Sequence, residues 1–233
     1  MRKLERLGLA EPLGSARWYL SERTEPTLRV LGERGDVIKR IHRGLAELRI
    51  ERSLGDYVLD EADPAGPIMG RLIARGLDDE LRGSAYAVID GTDGRTHHVR
   101  LSDLDATSDG APGAIVELRR FKDSRGRDRT AIAVRSDLPL AAQVESTGAT
   151  WLDRQLLARE PGALSSGGFG LEVQQAMNVR TDHLIRENLA RHEGQRIIFA
   201  RNLLDTLRRR ELDQAAARVA ADFGLAGSAS SST

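Results

Sequence analysis

Between residues 68 and 135 the chain runs through five β-rich stretches in succession: IMGRLIARGL, SAYAVID, RTHHVRL, AIVELRRF and RTAIAVR. Each is rich in Val, Ile and aromatics or alternates in polarity, and turn chemistry separates them. GTDG at 91–94 closes one hairpin. DSRGR at 123–127 closes another, with Gly126 free to take a positive φ. Five short strands in so few residues leave each strand one face to bury, so the expected solution is a small antiparallel β-barrel, closed or nearly so.

Helical periods flank this region. Residues 22–49 read as helical, with Asp36 placed to cap a helix whose apolar residues Val37, Ile38, Ile41, Leu45 and Leu48 recur at the 3.6-residue period. Asp60 to Pro67 punctuates the chain before the strands begin. After them, Thr150 and Asp153 form a capping-box pattern that opens TWLDRQLLARE, and PGALSSGGFG reads as a loop. Helices are expected over about 170–178 and 180–190, then a short strand around Arg196 to Phe199 and a last helix from about Arg201 to Phe223. The tail AGSASSST has no periodicity and is expected to be disordered.

The first twenty residues, MRKLERLGLAEPLGSARWYL, read as the end of a helix, broken by Gly8, followed by a hairpin. LERLGLAEP (4–12) and LIRENLARH (184–192) share this pattern, a helix ending in Leu-Ala before a β-rich strand and a new helix. Both resemble the helix-and-wing half of a winged helix, and only the second has helices ahead of it. The expected organisation is α+β: residues 1–53 a partial winged-helix-like element, 54–137 the barrel, 138–224 a second winged-helix-like helical module, and 225–233 a disordered tail.

Composition narrows the function classes. With 40% hydrophobic and 30% charged residues the chain is ordinary for a soluble protein, and with no cysteine it has neither disulfides nor thiolate metal sites, in keeping with a cytoplasmic location. No run approaches the roughly 18 apolar residues of a membrane span. Net charge is zero, but residues 1–50 carry +4, 51–110 carry −7, 111–150 carry +2 and 151–233 carry +1. Such a chain is not uniformly basic, so nucleic acid is not expected to wrap it.

His97 and His98, near Asp90, Asp93 and Asp103, are the most tempting metal candidates. Adjacent strand residues point to opposite faces, so the two imidazoles diverge. With GTDG closing the hairpin symmetrically, His97 lies opposite Val88, His98 opposite Ala87, and Asp90 faces Arg95. On the second hairpin, pairing Asp123 with Arg127 sets Val116, Leu118, Ile132 and Val134 on a core face and Glu117, Arg119, Phe121, Arg129 and Arg135 on the other. Cations interleaved with an aromatic suit single-stranded nucleic acid, although a solvated charged face gives the same pattern. SSGGFG before a helix can cradle an anion but lacks the phosphate-loop lysine. Arg208, Arg209 and Arg210 are surface cations on the last helix. No Ser/His/acid arrangement is evident, and neither cofactor nor metal is expected.

RKLERLGLAEP, LRVLGERGDVIKRIHRGL, GRLIARGLDDELRGSAYAVIDGTDGRTHHVRL, GATWLDRQLLARE and QRIIFARNLLDTLRRREL carry a resemblance. Over residues 1 to about 224 the chain resembles the C-terminal region of conjugative relaxase/mobilization nuclease proteins of the Vir type, a domain of unknown function that follows the nicking domain. In that family the nicking domain uses a tyrosine nucleophile and a histidine-cluster metal site with a Pro-His-x-His motif. Neither motif stands in this sequence, so no catalytic residue carries over to Tyr19, Tyr57, Tyr86 or His97. The resemblance implies that Met1 corresponds to an internal position of a longer protein, with the supporting helices of the first wing upstream.

The expected function is a non-catalytic accessory region of a conjugative relaxase that assists DNA binding, single- or double-stranded, or docks the nicking domain, the relaxosome or type IV secretion proteins, without membrane contact. Its nucleic-acid candidates are Lys3, Arg6 and Arg17 at the first wing, Arg119, Phe121, Arg125, Arg127 and Arg129 on the second hairpin, and Arg208 to Arg210. The alternatives are a protein-interaction scaffold without DNA contact and, more remotely, a metal-dependent nuclease centred on His97.

Overall fold

The computed structural model describes residues 1–13, 17–59, 66–79, 83–159 and 162–228. At its centre is one six-stranded sheet of order β3-β6-β5-β4-β7-β8. It comprises β3 (Tyr57–Val58), β4 (Ile68–Asp79), β5 (Ser84–Gly91), β6 (Thr96–Leu101), β7 (Ile115–Lys122) and β8 (Asp128–Ser136). All pairs are antiparallel except β3 with β6. The five expected strands are present, but they do not close into a barrel. Among the described residues β3 and β8 are edges, and β3 is a two-residue parallel strand, too short to leave a sequence signal. A 3-10 turn, Asp105–Thr107, packs on β5 and β8 instead, and Arg75 of β4 donates to the Thr107 hydroxyl and the Ser108 carbonyl.

The inner face of the curled sheet is the main core, formed by Leu72, Ala85, Ala87, Ile89, Val99, Val116, Leu118 and Ile132. The outer face is covered from two sides. Helix α2 (Thr24–Glu47) lays Val37, Ile41 and Leu45 on Ile73 and Val88. A bulge at Ile73 shifts the strand's alternation so that Ile73 and Ala74 both turn towards this helix. Gly44 permits the close approach, since a Cβ there would sit 2.8 Å from Ile73 Cγ2. On the other side Trp151, Leu152, Phe169, Val173 and Ala176 pack on Ile115. They come from α4 (Trp151–Leu156) and α5 (Gly168–Arg186), with α3 (Leu140–Glu145) packed against both.

Several local expectations are corrected. Asp36 does not cap α2; it lies inside the helix and pairs with Lys39 at 3.0 Å. The helix expected over 22–49 is otherwise present as α2, although its apolar period starts only at Val37, because residues 25–36 bury no side chain. The two helices expected over 170–190 are one continuous α5. The last helix, α6 (Leu203–Ser228), runs into the stretch expected to be disordered, and residues 229–233 lie outside the described residues. The capping box at Thr150 and Asp153 is present as expected.

The weak internal similarity is a real backbone repeat. In the first unit, α1 (Arg2–Arg6) leads into the hairpin β1 (Ala10–Pro12) and β2 (Trp18–Leu20), then α2. In the second, α5 leads into β9 (Ala190–Glu193) and β10 (Arg196–Phe199), then α6. Leu9 N–H donates to Leu4 O at 2.9 Å, and Leu189 N–H donates to Leu184 O at 2.8 Å. Gly8 and Asn188, both at positive φ, occupy the equivalent turn position. Ser21 N–H donates to Leu9 O and Ala200 N–H donates to Leu189 O, at 3.0 and 2.9 Å. Thus Leu4 matches Leu184, and after the hairpins Thr24 matches Leu203.

Candidate nucleic-acid interface

Among the described residues β4 pairs with β7 only through Leu118, whereas β7 and β8 pair with each other as far as Lys122 and Asp128. The outer part of the hairpin therefore extends from the sheet as a two-stranded ribbon. Asp123 N–H donates to Arg127 O at 2.9 Å, the expected closure, and Val116 and Leu118 face Val134 and Ile132 in the core as expected. The segment from Arg119 to Thr130 carries six cations and two acids.

Two carboxylates organise these cations. Asp123 Oδ1 accepts from the Arg125 and Arg127 backbone N–H groups at 2.9 and 3.0 Å, and Oδ2 accepts from Arg127 Nε and Arg129 Nε at 2.9 and 3.3 Å. The Arg127 and Arg125 amides and the two guanidinium groups hold its carboxyl below the usual range. Glu117 lies between Arg119, at 2.8 Å, and Arg135, at 2.6 Å. Burial raises its pKa, but the two guanidinium groups outweigh burial and leave it lowered. Phe121, half exposed, sits directly across from Arg129. The ribbon thus combines an accessible ring with fixed guanidinium groups, which provide base stacking and phosphate contact in a single-strand site.

The other candidates do not join this array. Lys3 and Arg6 are exposed on α1, and Arg17 is exposed just before β2. On α6, Arg208 is 3.5 Å from Asp205 and Arg210 is 3.1 Å from Glu187, while Arg209 is exposed. The SSGGFG segment is no anion cradle. Ser165 N–H donates to Thr92 O at 2.8 Å, and a Cβ on Gly170 would lie 2.3 Å from that same oxygen, so these residues pack under the β5–β6 turn.

His97 and His98 do diverge, but their register is shifted by one residue. Gly91 N–H donates to Arg95 O, leaving a three-residue loop with Gly94 at positive φ. His97 therefore faces Ile89, His98 faces Val88, and Asp90 faces Thr96 rather than Arg95. His97 Nε2 is 3.1 Å from Asp93 Oδ2, and His98 stacks on Tyr86 with ring centroids 5.4 Å apart. Among the described residues no group of three or more His, Asp or Glu side chains is placed to hold a metal ion.

Sequence reasoning missed two ion-pair networks. Asp90, fully buried, accepts from Arg52 Nε and an Arg71 terminal nitrogen at 2.9 and 2.8 Å, and both arginines also reach Glu172. This four-charge group ties the segment after α2 to β4, β5 and α5, and Arg71 also lies 4.7 Å over the Phe169 ring. Deeper still, Arg180 pairs with Asp153 at 2.8 Å, with both side chains wholly buried. Its signal was available: Arg180 falls on the apolar stripe of Val173, Ala176 and Leu184, where a cation needs an acid.

No described helix is long and apolar enough to cross a membrane. No curated protein and no solved structure matches the chain. One family, described as "Protein of unknown function (DUF3363)", matches residues 1–135 and 119–230, nearly the whole sequence, and the chain belongs to that family.

Proposed function

We propose that the chain is a non-catalytic accessory region of a conjugative relaxase-type protein, which steadies DNA through the β7–β8 ribbon and docks other proteins through its helix–hairpin–helix units, read as winged-helix-like modules. The observation that carries this reading is the ribbon itself: six cations and two acids around a half-exposed Phe121, on strands that beyond Leu118 pair, among the described residues, only with each other. The resemblance to relaxase C-terminal regions supports the same context. The outward side chains of α5, including Gln175, Asn178, Asp182 and Arg186, are of mixed charge, so the ribbon and not this helix takes the phosphate contacts.

Fluorescence anisotropy with labelled single- and double-stranded oligonucleotides tests this. Binding is expected at low salt and should weaken at least tenfold between about 50 and 200 mM. Arg125→Ala combined with Arg129→Ala should weaken both DNAs. Phe121→Ala should weaken the single strand selectively, by about 1–3 kcal/mol. Absence of binding to either DNA at low salt refutes the nucleic-acid reading and leaves a protein scaffold, which the exposed Leu7, Leu13, Tyr19 and Leu20 of the first unit favour.

A further inference from the structure

We propose that a cavity at the root of the β7–β8 ribbon takes up one guanine base of a single strand lying on that ribbon, a preference that rests on the nucleic-acid reading of the ribbon and adds a base to it.

The cavity, of about 300 Å³, lies where the start of β4, the β5–β6 turn, β7 and α4 meet. That is the small end of the range for ligand sites, enough for one planar ring system. Among the described residues Ile68, Met69, Trp151 and Leu164 supply its apolar wall, and Thr92, Asp93, Glu117 and Gln155 its polar groups.

Glu117 joins the cavity to the ribbon. The outward positions of β7 run Ile115, Glu117, Arg119 and Phe121. Ile115 belongs to the same core cluster as Trp151, Glu117 borders the cavity beside its cross-strand neighbour Met69, and Arg119 and Phe121 stand on the ribbon. At about 3.3 Å per residue, the step from Glu117 to Phe121 spans about 13 Å, which an extended strand of a few nucleotides covers. A strand with one base stacked on Phe121 and a phosphate at Arg119 therefore brings a later base to the cavity.

The cavity's polar groups have capacity to spare. Trp151 is 4% exposed, and its Nε1 has no acceptor among the described residues. Buried donors in folded proteins are nearly always paired, so an acceptor on a ligand is favoured beside this ring. The half-buried Gln155 and Thr92 side chains likewise make no hydrogen bond among the described residues. Asp93 is half exposed and keeps lone pairs for a ligand beyond its bonds to His97 and the Arg95 amide.

Ionisation selects the base. Burial raises the Asp93 carboxyl, but His97 and Arg95 outweigh it and leave it below its ordinary range, as Arg119 and Arg135 do for Glu117. Both carboxylates are charged at neutral pH and only accept. Guanine carries two adjacent donors, N1–H and N2–H, with the O6 acceptor beside them, so one edge can serve a carboxylate and an indole or amide N–H together. Adenine, cytosine and thymine set an acceptor next to each donor on that edge, which an ionised carboxylate repels. In a duplex the guanine edge is already engaged, so the site reads single strands.

Fluorescence anisotropy with a labelled oligothymidylate, and with the same strand carrying one central guanine or one central adenine, tests this. The guanine should tighten binding at least fivefold and the adenine should not. Ala163→Trp fills the cavity from its exposed rim, so it should erase the guanine gain while the melting temperature holds. Equal affinity for the three strands overturns the cavity assignment and leaves the ribbon reading standing. A guanine gain that survives in a folded Ala163→Trp protein overturns it too, since the preference then lies elsewhere. If no strand binds at low salt, the ribbon reading fails, and the cavity is judged by Trp151 emission in Trp18→Phe, which leaves Trp151 as the only tryptophan. There a saturable change with deoxyguanosine monophosphate that deoxythymidine monophosphate does not produce upholds a guanine site, and no such change overturns it.

Discussion

Replacing Asp153 by alanine will destabilise the protein by about 3–5 kcal/mol, read as a lower urea midpoint and a melting temperature reduced by roughly 10 °C. Asp153 accepts from Arg180 Nε and Nη2 at 2.8 and 2.9 Å and from the Thr150 amide and hydroxyl, both at 2.8 Å. Without it, a wholly buried guanidinium keeps only the carbonyls of Val144, Ser146 and Gly148, and α4 loses half of its capping box. Three helices meet at this pair, so the damage is not confined to one turn. Asp153→Leu combined with Arg180→Met should recover most of the loss, because a buried pair is costly to break but replaceable by apolar bulk. An Asp153→Ala variant within about 1 kcal/mol of the parent would contradict the assignment of this pair as the anchor of α5.

The second large effect is expected at Asp90. Asp90→Ala leaves Arg52 and Arg71 sharing Glu172 alone, and should cost about 3 kcal/mol. Glu172→Gln should cost less, about 1 kcal/mol, since this side chain is 37% exposed and its pairing is screened by water. The network also sets an acid limit. Burial pushes the Glu172 carboxyl up, but hydrogen bonding and charge from Arg52 and Arg71 outweigh burial and leave it below its ordinary value of 4.5. Its stabilisation is therefore complete above that ordinary value and is lost as pH falls through the lowered one. Melting temperatures measured from about pH 6 down to pH 3 should decline, and the decline should be shallower in Glu172→Gln. Identical slopes for the two proteins would show that Glu172 does not link folding to acid.

Much of this architecture was legible because turn chemistry and period are local. DSRGR fixed both the closure and the faces of the β7–β8 hairpin, and the Leu-Ala pairs that follow α1 and α5 and open the next strands exposed the repeat. The neighbouring hairpin misled by one residue, since GTDG suits both a four-residue loop and the three-residue loop that forms, and that step moves Asp90 from Arg95 to Thr96. Sheet closure is a long-range property: nothing within IMGRLIARGL or RTAIAVR states whether the edges meet. Arg180 interrupted the helical period and divided α5 into two expected helices, because its partner lies 27 residues away.

In the candidate interface, residue types were legible but restraint was not. Arg119, Arg127 and Arg129 read as loose surface cations, yet Glu117 and Asp123 hold each of them within 3.3 Å. Carboxylates that pin an arginine subtract charge but cut the rotamer entropy lost when a phosphate is bound.

The doubled helix–hairpin–helix unit has a consequence for symmetry. A homodimer of one such unit would offer two identical hairpins, whereas this single polypeptide carries two that have diverged: Glu11, Tyr19 and Leu20 are exposed on one, and Arg191, His192 and Arg196 with Ile197 and Ile198 on the other. Duplication within a chain frees each copy to specialise, so a ligand grasped by both would be read in a fixed polarity.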